Sequence, residues 1–336
     1  MSVTMADIAR SAECSITTVG RVLHNNGYVK QEVRERIEKA IAELGYVPNQ
    51  SARALKSNRS GIIGVLVLQN PNGLYYRINE SIREAARMRG YECITMEVQR
   101  RDNDAGRLIQ SFIGLRVDGI VIVSNTTVTP EMFAQLKRAG VPVVSVERGY
   151  FDCGIDNLVV QDYSASYDAV SRILAKGHTR VALIASDGQH DVERQRLSGY
   201  KQAIADAAHI IDPDLIRLTE NYSPDVGRQA AEQLLELPVP PTAIFTTADT
   251  LAAGVLQALY AKGLRVPDDV SLVGYDDVLS RSLSPRIDSV ALLLDDTGTQ
   301  VMDLLARRMA KEDAPPEVRP IGTAYMDRGS VKDLRK

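Results

Sequence analysis

The sequence is poor in cysteine and histidine, and neither residue type forms a recognisable site. Its 336 residues contain three cysteines, at positions 14, 93 and 153, and four histidines, at positions 24, 178, 190 and 209. The cysteines are far apart and no CxxC pair occurs, so the sequence predicts neither a disulfide framework nor a zinc site. We therefore expect no bound metal and no cofactor.

Long apolar runs and the common nucleotide-binding or catalytic motifs are also missing. No segment approaches the roughly 20 apolar residues of a membrane span, and the first residues hold no apolar signal-peptide core. We therefore expect a cytoplasmic protein that does not interact with a membrane. The patterns GxGxxG, GxxxxGK[ST], HExxH and GxSxG do not occur, which argues against an enzyme without excluding one.

Composition and charge distribution indicate two kinds of region. With 44% hydrophobic and 25% charged residues, the chain suits two or three packed domains. Residues 1–60 contain nine Lys and Arg against six Asp and Glu, a net charge of +3, and the remainder contains 31 against 37, a net charge of −6. A basic head on an acidic body favours nucleic acid as the partner of the head.

Residues 5–24 are the most informative stretch, because their apolar spacing predicts two short helices joined by a tight turn. The predicted helices span residues 5–12 and 16–24, and Ser15 can accept a backbone N–H at the start of the second helix. Packing of their apolar faces leaves one small, polar and basic face of the second helix free. This face carries Ile16, Thr17, Gly20 and Arg21. A short helix held in this way is the form that enters the DNA major groove.

Two further segments complete the predicted head. Residues 31–44 have the spacing of a third amphipathic helix, and Gly45 ends it. Residues 49–57 could form one more short helix, which is too short to be stable alone. Together these segments predict an N-terminal all-α head of three helices, the first two joined by a tight turn, followed by one short further helix.

The head resembles the DNA-binding domain of the lactose-repressor/galactose-repressor family of bacterial transcription regulators. The matching segments are residues 7–9, 15–23, 27–29, 44–49 and 52–56, with Arg34 and Ile37. The resemblance continues through nearly the whole chain. It implies a sequence-specific regulator, usually a repressor, that binds near-palindromic double-stranded operator DNA as a homodimer or a tetramer.

The same resemblance implies which residues contact DNA. Ile16, Thr17 and Arg21 would read base edges, and residues 49–57 would form the hinge helix that inserts Leu55 into a minor-groove step. The implied DNA-binding residues are Ser15, Ile16, Thr17, Thr18, Arg21, Asn25, Tyr28, Ala54, Leu55 and Lys56.

Several features depart from the family pattern, including Ala248 and the Gln161-Asp162 pair in the predicted cleft. Glu13 occupies a turn position that is often Gly or Asn, where a left-handed backbone would cost about 1–2 kcal/mol. Gly20 replaces a common serine and costs up to about 1 kcal/mol of helix propensity. Residues 153–158 have the look of a local insertion. We expect somewhat weak operator binding and an effector that need not be a common sugar.

From residue 62 onward, apolar strands alternate with amphipathic helices, which predicts parallel sheets covered on both faces. The predicted strands span residues 62–68, 91–97, 119–123, 143–146, 181–184, 215–218, 243–246, 270–275 and 289–294. The predicted helices span residues 75–89, 104–115, 130–139, 163–175, 192–207, 224–235, 250–261 and 297–308. The fold class is therefore an α/β body of two similar parallel-sheet lobes, as in periplasmic binding proteins, behind an α-helical head.

The predicted domain boundaries follow from these patterns. The helix-turn-helix domain would comprise residues 1–48, and the hinge helix and linker residues 49–60. The two effector-binding lobes would comprise residues 61–161 with 291–320, and residues 162–290 with 321–336. The strand at 289–294 and the helix at 297–308 would return the chain to the first lobe.

Polar side chains at strand ends predict a small-molecule site between the lobes, because ligands of open α/β sheets bind at the carboxyl ends of strands. Such side chains occur at 124–125, 147–148, 161–162, 249 and 276. The resemblance adds Arg196 as an effector-binding arginine, Tyr222 as a stacking ring and Asp276 as a cleft acid. An arginine fork, carboxylates and a stacking ring suit a sugar-like molecule. The predicted effector-binding residues are Tyr75, Tyr76, Asn125, Arg148, Asp162, Arg196, Tyr222, Asp249 and Asp276.

Other readings of these residues stay open at this point. Arg196 could form a surface ion pair, Tyr222 could be a half-exposed loop residue, and Asp249 could be a helix N-cap. The body alone would also suit a solute-binding protein of transport or sensing, although the head argues for a regulator. In the family, ligand binding strengthens DNA binding in some members and weakens it in others, and the sequence favours neither.

Overall fold

A computed structural model describes residues 3–23, 26–46, 59–68, 73–99, 104–123, 128–187, 191–312 and 314–335. The chain forms two compact units, Met1–Ser60 and Gly61–Lys336. The predicted hinge helix lies outside the described residues, and so do Asn25, Asn125, Ala54, Leu55 and Lys56. Among the helices that the structure describes, none has the length and apolarity that crossing a membrane requires.

The head contains the three predicted helices, α1 (Met5–Ser11), α2 (Ile16–Leu23) and α3 (Gln31–Leu44). Local signals fix their ends: Ser15 Oγ accepts the Thr18 N–H at 3.1 Å at the start of α2. Gly45, at a φ of 62°, follows the end of α3 in the left-handed conformation. The centre is formed by Ile8, Val19 and Ile37, which are fully buried. The apolar faces therefore pack together as the spacing predicts.

The described part of the body contains two six-stranded sheets. The strands are β1 (Ile62–Leu68), β2 (Glu92–Val98), β3 (Gly119–Val123), β4 (Val143–Glu147), β5 (Asp156–Val160), β6 (Val181–Ser186), β7 (Ile216–Thr219), β8 (Ala243–Thr246), β9 (Ser271–Asp276), β10 (Asp288–Leu292), β11 (Val318–Ile321) and β12 (Thr323–Met326). The helices are α4 (Leu74–Met88), α5 (Ala105–Gly114), α6 (Pro130–Arg138), α7 (Asp162–Ala175), α8 (Asp191–Asp206), α9 (Pro224–Leu235), α10 (Asp249–Ala261) and α11 (Thr297–Met309).

The strand orders of the two sheets correspond. The first sheet has the order β11-β5-β4-β3-β1-β2 and the second has the order β12-β10-β9-β8-β6-β7. The pairs in the first sheet are parallel, and in the second sheet β12 alone runs antiparallel, beside β10. In the described residues, this confirms the prediction of two similar lobes. It also gives β4 and β9 the same third position in their sheets.

The predicted return of the chain to the first lobe is half correct. The strand predicted at 289–294 is β10, which pairs with β9 and β12 in the second sheet, so its assignment to the first lobe is wrong. Helix α11 does pack on the first lobe, where the Gly298 N–H donates to Ser81 Oγ of α4 at 3.0 Å. A Cβ at Gly298 would lie 2.0 Å from the Ser81 carbonyl oxygen, so the two helices can approach this closely only at a glycine. The crossover therefore follows β10 instead of preceding it.

The predicted insertion at 153–158 is also wrong. Its second half, residues 156–158, belongs to β5, an interior strand that pairs with β4 and β11. This strand is difficult to recognise in the sequence because it begins with two polar residues. Asp156 and Asn157 are buried, and both form hydrogen bonds with other side chains. Both Asp156 carboxylate oxygens accept hydrogen bonds from Arg308 at 2.7 Å. The short strands β11 and β12 were not predicted either, whereas the other elements predicted within the described residues are present with ends shifted by two residues at most.

Candidate functional site

The free face of α2 carries the residues predicted to read DNA. Ile16 is 53% exposed, and Thr17 and Arg21 are exposed as well. Val19 and Val22 point the other way and are buried against the rest of the head. The structure thus brings the three predicted base-reading side chains together on one accessible helix face.

The predicted residues that flank this face have separate local roles. The Ser15 hydroxyl caps α2 and lies 2.8 Å from the Thr18 hydroxyl, so both side chains help to start the helix. Tyr28, beyond the end of α2, is 85% exposed. Glu13 has a φ of 46°, which is the left-handed turn conformation expected for this position.

A second constellation lies where strands of the two sheets end. Glu147 ends β4 and Asp276 ends β9, and both are buried. Their φ angles are 77° and 87°, in the left-handed region that non-glycine residues rarely occupy. Such backbone strain costs on the order of 1–3 kcal/mol per residue and is found preferentially at functional sites. Equivalent strands of the two lobes therefore each hold a buried carboxylate in a strained position.

Arg196 of α8 connects these groups. Its Nε donates to Asp162 Oδ1 at 2.7 Å, and its Nη1 donates to the Thr247 carbonyl oxygen at 2.7 Å. Its Nη2 lies 3.8 Å from Asp276 Oδ1, and its Cζ lies 3.8 Å from the centre of the Tyr275 ring. Arg196 is 3% exposed, so the surface ion-pair alternative is wrong. The guanidinium is therefore oriented by a carboxylate, a carbonyl and an aromatic face of the protein itself.

Two tyrosine–glutamate pairs surround this arginine. The Tyr222 hydroxyl donates to Glu193 Oε1 at 2.5 Å, and the Tyr75 hydroxyl donates to Glu147 Oε1 at 3.4 Å, the long end of the hydrogen-bond range. Glu147 and Glu193 each keep a buried second carboxylate oxygen, Oε2, without a hydrogen-bond partner in the described structure. Buried polar atoms are almost always satisfied, so these two oxygens indicate a place that a ligand would complete.

Burial strongly changes the ionisation of Glu147. Loss of hydration raises the pKa of Glu147 to about 8; Arg196 opposes this rise, and Asp162 and Asp276 add to it. Burial also raises the pKa of Asp162, against the lowering effect of Arg196. The carboxylates are thus close enough to influence one another across the two lobes.

A cavity of about 280 Å³ adjoins this cluster, which is near the lower limit of small-molecule pockets. Its lining comes from both lobes and includes Glu147, Arg148, Phe151, Asp162, Val192 and Gln195. Arg148 is half-buried, with its guanidinium carbon 4.9 Å from the centre of the Tyr150 ring. In the described residues, no group of His, Cys, Asp and Glu side chains has an arrangement that could hold a metal ion.

The predicted effector residues separate into two groups. Most of them meet around the buried arginine or line the cavity: Tyr75, Arg148, Asp162, Arg196, Tyr222 and Asp276. Tyr76 is 68% exposed and borders a surface groove beside α11, because adjacent helical residues point about 100° apart. Asp249 uses both oxygens within the protein, accepting the N–H groups of Leu279 and Ser280 and the Ser289 hydroxyl.

Three residues of the cluster were not selected from the sequence. Glu147 was one of several polar strand-end residues, and Glu193 and Tyr275 were not considered. Glu193 lies one helical turn before Arg196, so a shared helix face was a detectable signal. The Tyr275 ring contact depends on the long-range position of β9 beside α8, for which the local sequence offers no signal.

Comparison with known proteins gives matches over both units. Residues 4–49 match the bacterial regulatory proteins of the lacI family, and residues 170–331 match the periplasmic binding protein-like domain. The catabolite control protein A of Priestia megaterium is 32% identical over 93% of this chain and 94% of its own length. The ribose operon repressor of Escherichia coli K12 is 31% identical over 98% of this chain and 99% of its own length.

Solved structures of similar proteins include complexes with DNA and sugar. The Lac repressor dimer bound to operator and the anti-inducer ONPF has a TM-score of 0.86 and 26% identity, covering 99% of this chain and 100% of its own. The complex of the transcriptional regulator CelR with cellobiose has a TM-score of 0.73 and 28% identity, covering 98% of this chain and 99% of its own. With relatives above 30% identity over nearly the full length and a matching head, this chain belongs to the lacI family of bacterial regulatory proteins.

Proposed function

We propose that this protein is a transcription regulator, and specifically a repressor, whose affinity for a near-palindromic operator is controlled by a sugar-like effector. One observation carries the proposal. The same chain has an exposed helix face suited to DNA and a buried polar cluster with unsatisfied oxygens suited to a small ligand. Neither a solute-binding protein nor an enzyme needs the first of these features.

The DNA half of the proposal rests on α2. Ile16 and Thr17 offer an apolar and a small polar contact, and the Arg21 guanidinium can donate two hydrogen bonds to guanine. Ser15, Thr18, Asn25 and Tyr28 would position the helix on the phosphate backbone. Ala54, Leu55 and Lys56 would act in the minor groove as the family hinge does. A homodimer bound to two half-sites follows from the likeness to the Lac repressor dimer on operator.

The effector half rests on the cluster around Arg196. Asp162, Arg196, Asp276 and Arg148 would form hydrogen bonds to the ligand, while Tyr75 and Tyr222 would supply its aromatic walls. Asn125 would be a further ligand contact, because it follows the end of β3 in the sequence. We place Tyr76 and Asp249 outside the direct contacts, because Tyr76 lies on the outer surface and Asp249 anchors residues 279–280 and Ser289. Because the CelR relative is seen with cellobiose, a sugar-like ligand is the natural expectation.

The proposal also covers catalysis and the location of the protein in the cell. We propose that the protein catalyses no reaction, since its characterised relatives are regulators. We also propose that it works in the cytoplasm, where the operator DNA of a bacterium lies.

Selection from random duplexes tests the proposal directly. Full-length protein is incubated with a randomised pool, and bound duplexes are amplified and sequenced over several rounds. We expect enrichment of one near-palindromic sequence with half-sites about one helical turn apart. A pool that stays random after repeated rounds, with protein that is folded by circular dichroism, would contradict the proposal.

A further inference from the structure

The buried cluster contains more acids than bases. Among its described residues, Glu147, Asp162, Glu193 and Asp276 are each at most 6% exposed, and Arg196 is the cation buried among them. Arg148, at the edge of the cavity, brings the balance to four carboxyl groups against two guanidinium groups. The Arg196 charge is already engaged by Asp162 at 2.7 Å. An incoming ligand therefore meets a surplus of acceptors.

The carboxyl groups of Glu147 and Glu193 have the same arrangement of hydrogen bonds. In each tyrosine–glutamate pair, a tyrosine hydroxyl donates to Oε1, and Oε2 is buried without a partner in the described structure. Leaving such an atom unsatisfied is unfavourable. The second oxygens of Glu147 and Glu193 thus present two separate positions where a donor would be favourable. Glu193 influences Asp162 and Tyr222 electrostatically, which places it at the same cluster and not at a separate surface.

The sign of the charge decides which ligands can use these positions. An anion entering a site that already holds several carboxylates would lose its hydration and be repelled, whereas a hydroxyl carries no charge to desolvate and the lost hydration of an ammonium group would be offset by its attraction to the carboxylates. Burial and the neighbouring acids raise the pKa of Glu147 to about 8, so a further negative charge beside it would be unfavourable, whereas a ligand donor on its Oε2 would favour the ionised, accepting form.

On the proposed function, we infer that Glu147 and Glu193 are specificity-determining acceptors that each receive one O–H or N–H donor of an effector without negative charge. This makes the effector a polyhydroxylated compound, free or amine-bearing, and excludes sugar acids and sugar phosphates. In the sequence, Glu147 is one of several polar strand-end candidates, and Glu193 is not among the predicted effector-binding residues.

Titration calorimetry on the full-length protein tests the ligand class. The panel consists of two matched sets: glucose, glucosamine, glucuronate and glucose 6-phosphate, and galactose, galactosamine, galacturonate and galactose 1-phosphate. Ribose and ribose 5-phosphate extend the panel to a pentose. We expect the tightest ligand to be a free sugar or an amino sugar, with its anionic counterparts at least about tenfold weaker because they lose a charged hydrogen bond and gain repulsion. The free and amino members of each set distinguish a hydroxyl donor from an ammonium donor.

Isosteric variants test the two residues. With the tightest ligand of the panel, Glu193→Gln and Glu147→Gln should each weaken binding by about 10- to 100-fold, since the amide presents a donor where the ligand donor points. The anionic members should bind the variants more tightly than they bind the wild type. Glu236→Gln is the control, because it removes the same charge from an exposed position of the second lobe. A melting curve without ligand verifies that each variant is folded.

Three results would overturn the inference: an acid or phosphate as the tightest ligand, no binding by any member of the panel, or unchanged affinity in both glutamine variants. The proposed function has its own readout, the enriched duplex. If an anionic sugar binds and alters affinity for that duplex, the inference fails while the proposed function stands. If no duplex is enriched while a free sugar binds and Glu193→Gln weakens that binding, the proposed function fails while the assignment of the ligand class stands.

Discussion

The α2 face of the head and the buried cluster of the body solve the problem of recognition in opposite ways. Ile16 is 53% exposed and Arg21 is exposed, so the DNA would supply most of their partners. Arg196 and Asp162 are 3% and 1% exposed, and the protein itself supplies their partners. A large rigid duplex can order side chains on binding, whereas a small ligand has little binding energy to spend on ordering them.

This difference separates stability from recognition. A change of an exposed side chain on the α2 face, such as Thr17 or Arg21, should alter DNA binding and leave folding nearly untouched, because exposed side chains contribute little to the free energy of unfolding. A change in the cluster should alter ligand binding and folding together, since it leaves a buried charge uncompensated. The following four changes test that separation, starting with the largest expected effect.

Arg196→Ala should lower the free energy of unfolding by about 3–5 kcal/mol, because Asp162 and Asp276 would remain buried without their cation. It should also abolish any rise in melting temperature caused by the effector. Urea denaturation of the full chain measures the first effect. Arg228→Ala, which breaks a half-exposed Arg228–Glu232 pair, is the matched control and should cost at most about 1 kcal/mol. Equal losses in the two variants would remove the distinction between cluster and surface.

Arg21→Ala should reduce discrimination between the selected duplex and its base-substituted versions by about 1–3 kcal/mol, while the free energy of unfolding changes by at most about 0.5 kcal/mol. Fluorescence anisotropy with matched and substituted duplexes measures the discrimination. Arg36→Ala removes an equal charge from an exposed position of α3 and should weaken all duplexes alike. Unchanged specificity in the Arg21 variant would refute its base-reading role.

Glu147→Gln should change how stability depends on pH. The carboxyl has an ordinary value of 4.5 and a folded pKa of about 8, so between these values the folded state holds a proton that the unfolded state has released. Wild-type stability contributed by this group is therefore largest below pH 4.5 and falls as the pH rises towards about 8. The melting temperature of the wild type minus that of the variant should decrease from pH 5 to pH 8. A difference that stays constant over this range would show that Glu147 ionises normally.

Gly20→Ala should raise the stability of the head by up to about 1 kcal/mol through helix propensity. A Cβ at Gly20 would lie 3.5 Å from Met5 Cε, an ordinary contact, so the added methyl group fits. Gly45→Ala is the control of opposite sign, because Gly45 has a φ of 62° and an alanine there would be strained. Differential scanning calorimetry resolves the two shifts, and a destabilised Gly20 variant would mean that the glycine is required for packing.

The sequence was a better guide to the head than to the cluster, for a physical reason. The α2 face depends on helical periodicity and one cap, Ser15, all within ten residues of each other. The cluster depends on chain segments far apart in sequence, such as Tyr275 beside Arg196, and on the strained backbone of Glu147. Local sequence patterns therefore predict the α2 face, but they do not predict contacts between segments that are distant in sequence.

The same distinction explains the errors in the fold. Strand β5 begins with the polar Asp156, whose partner Arg308 is 152 residues away, so its burial has no local signature. Strand β10 has the apolar pattern of any interior strand, and the pattern alone does not say which sheet it joins. Tyr75 and Tyr76 are chemically alike neighbours, and only the packing of α4 decides which of them faces Glu147.

Coupling between the two regions is the central claim, and the affinity for the selected duplex with and without the effector tests it most directly. The account predicts that a saturating concentration of the ligand found by calorimetry changes the Kd for that duplex by about 5- to 150-fold, and that the duplex changes the ligand Kd by the same factor. A duplex Kd that is identical in the presence and absence of saturating ligand would contradict the account.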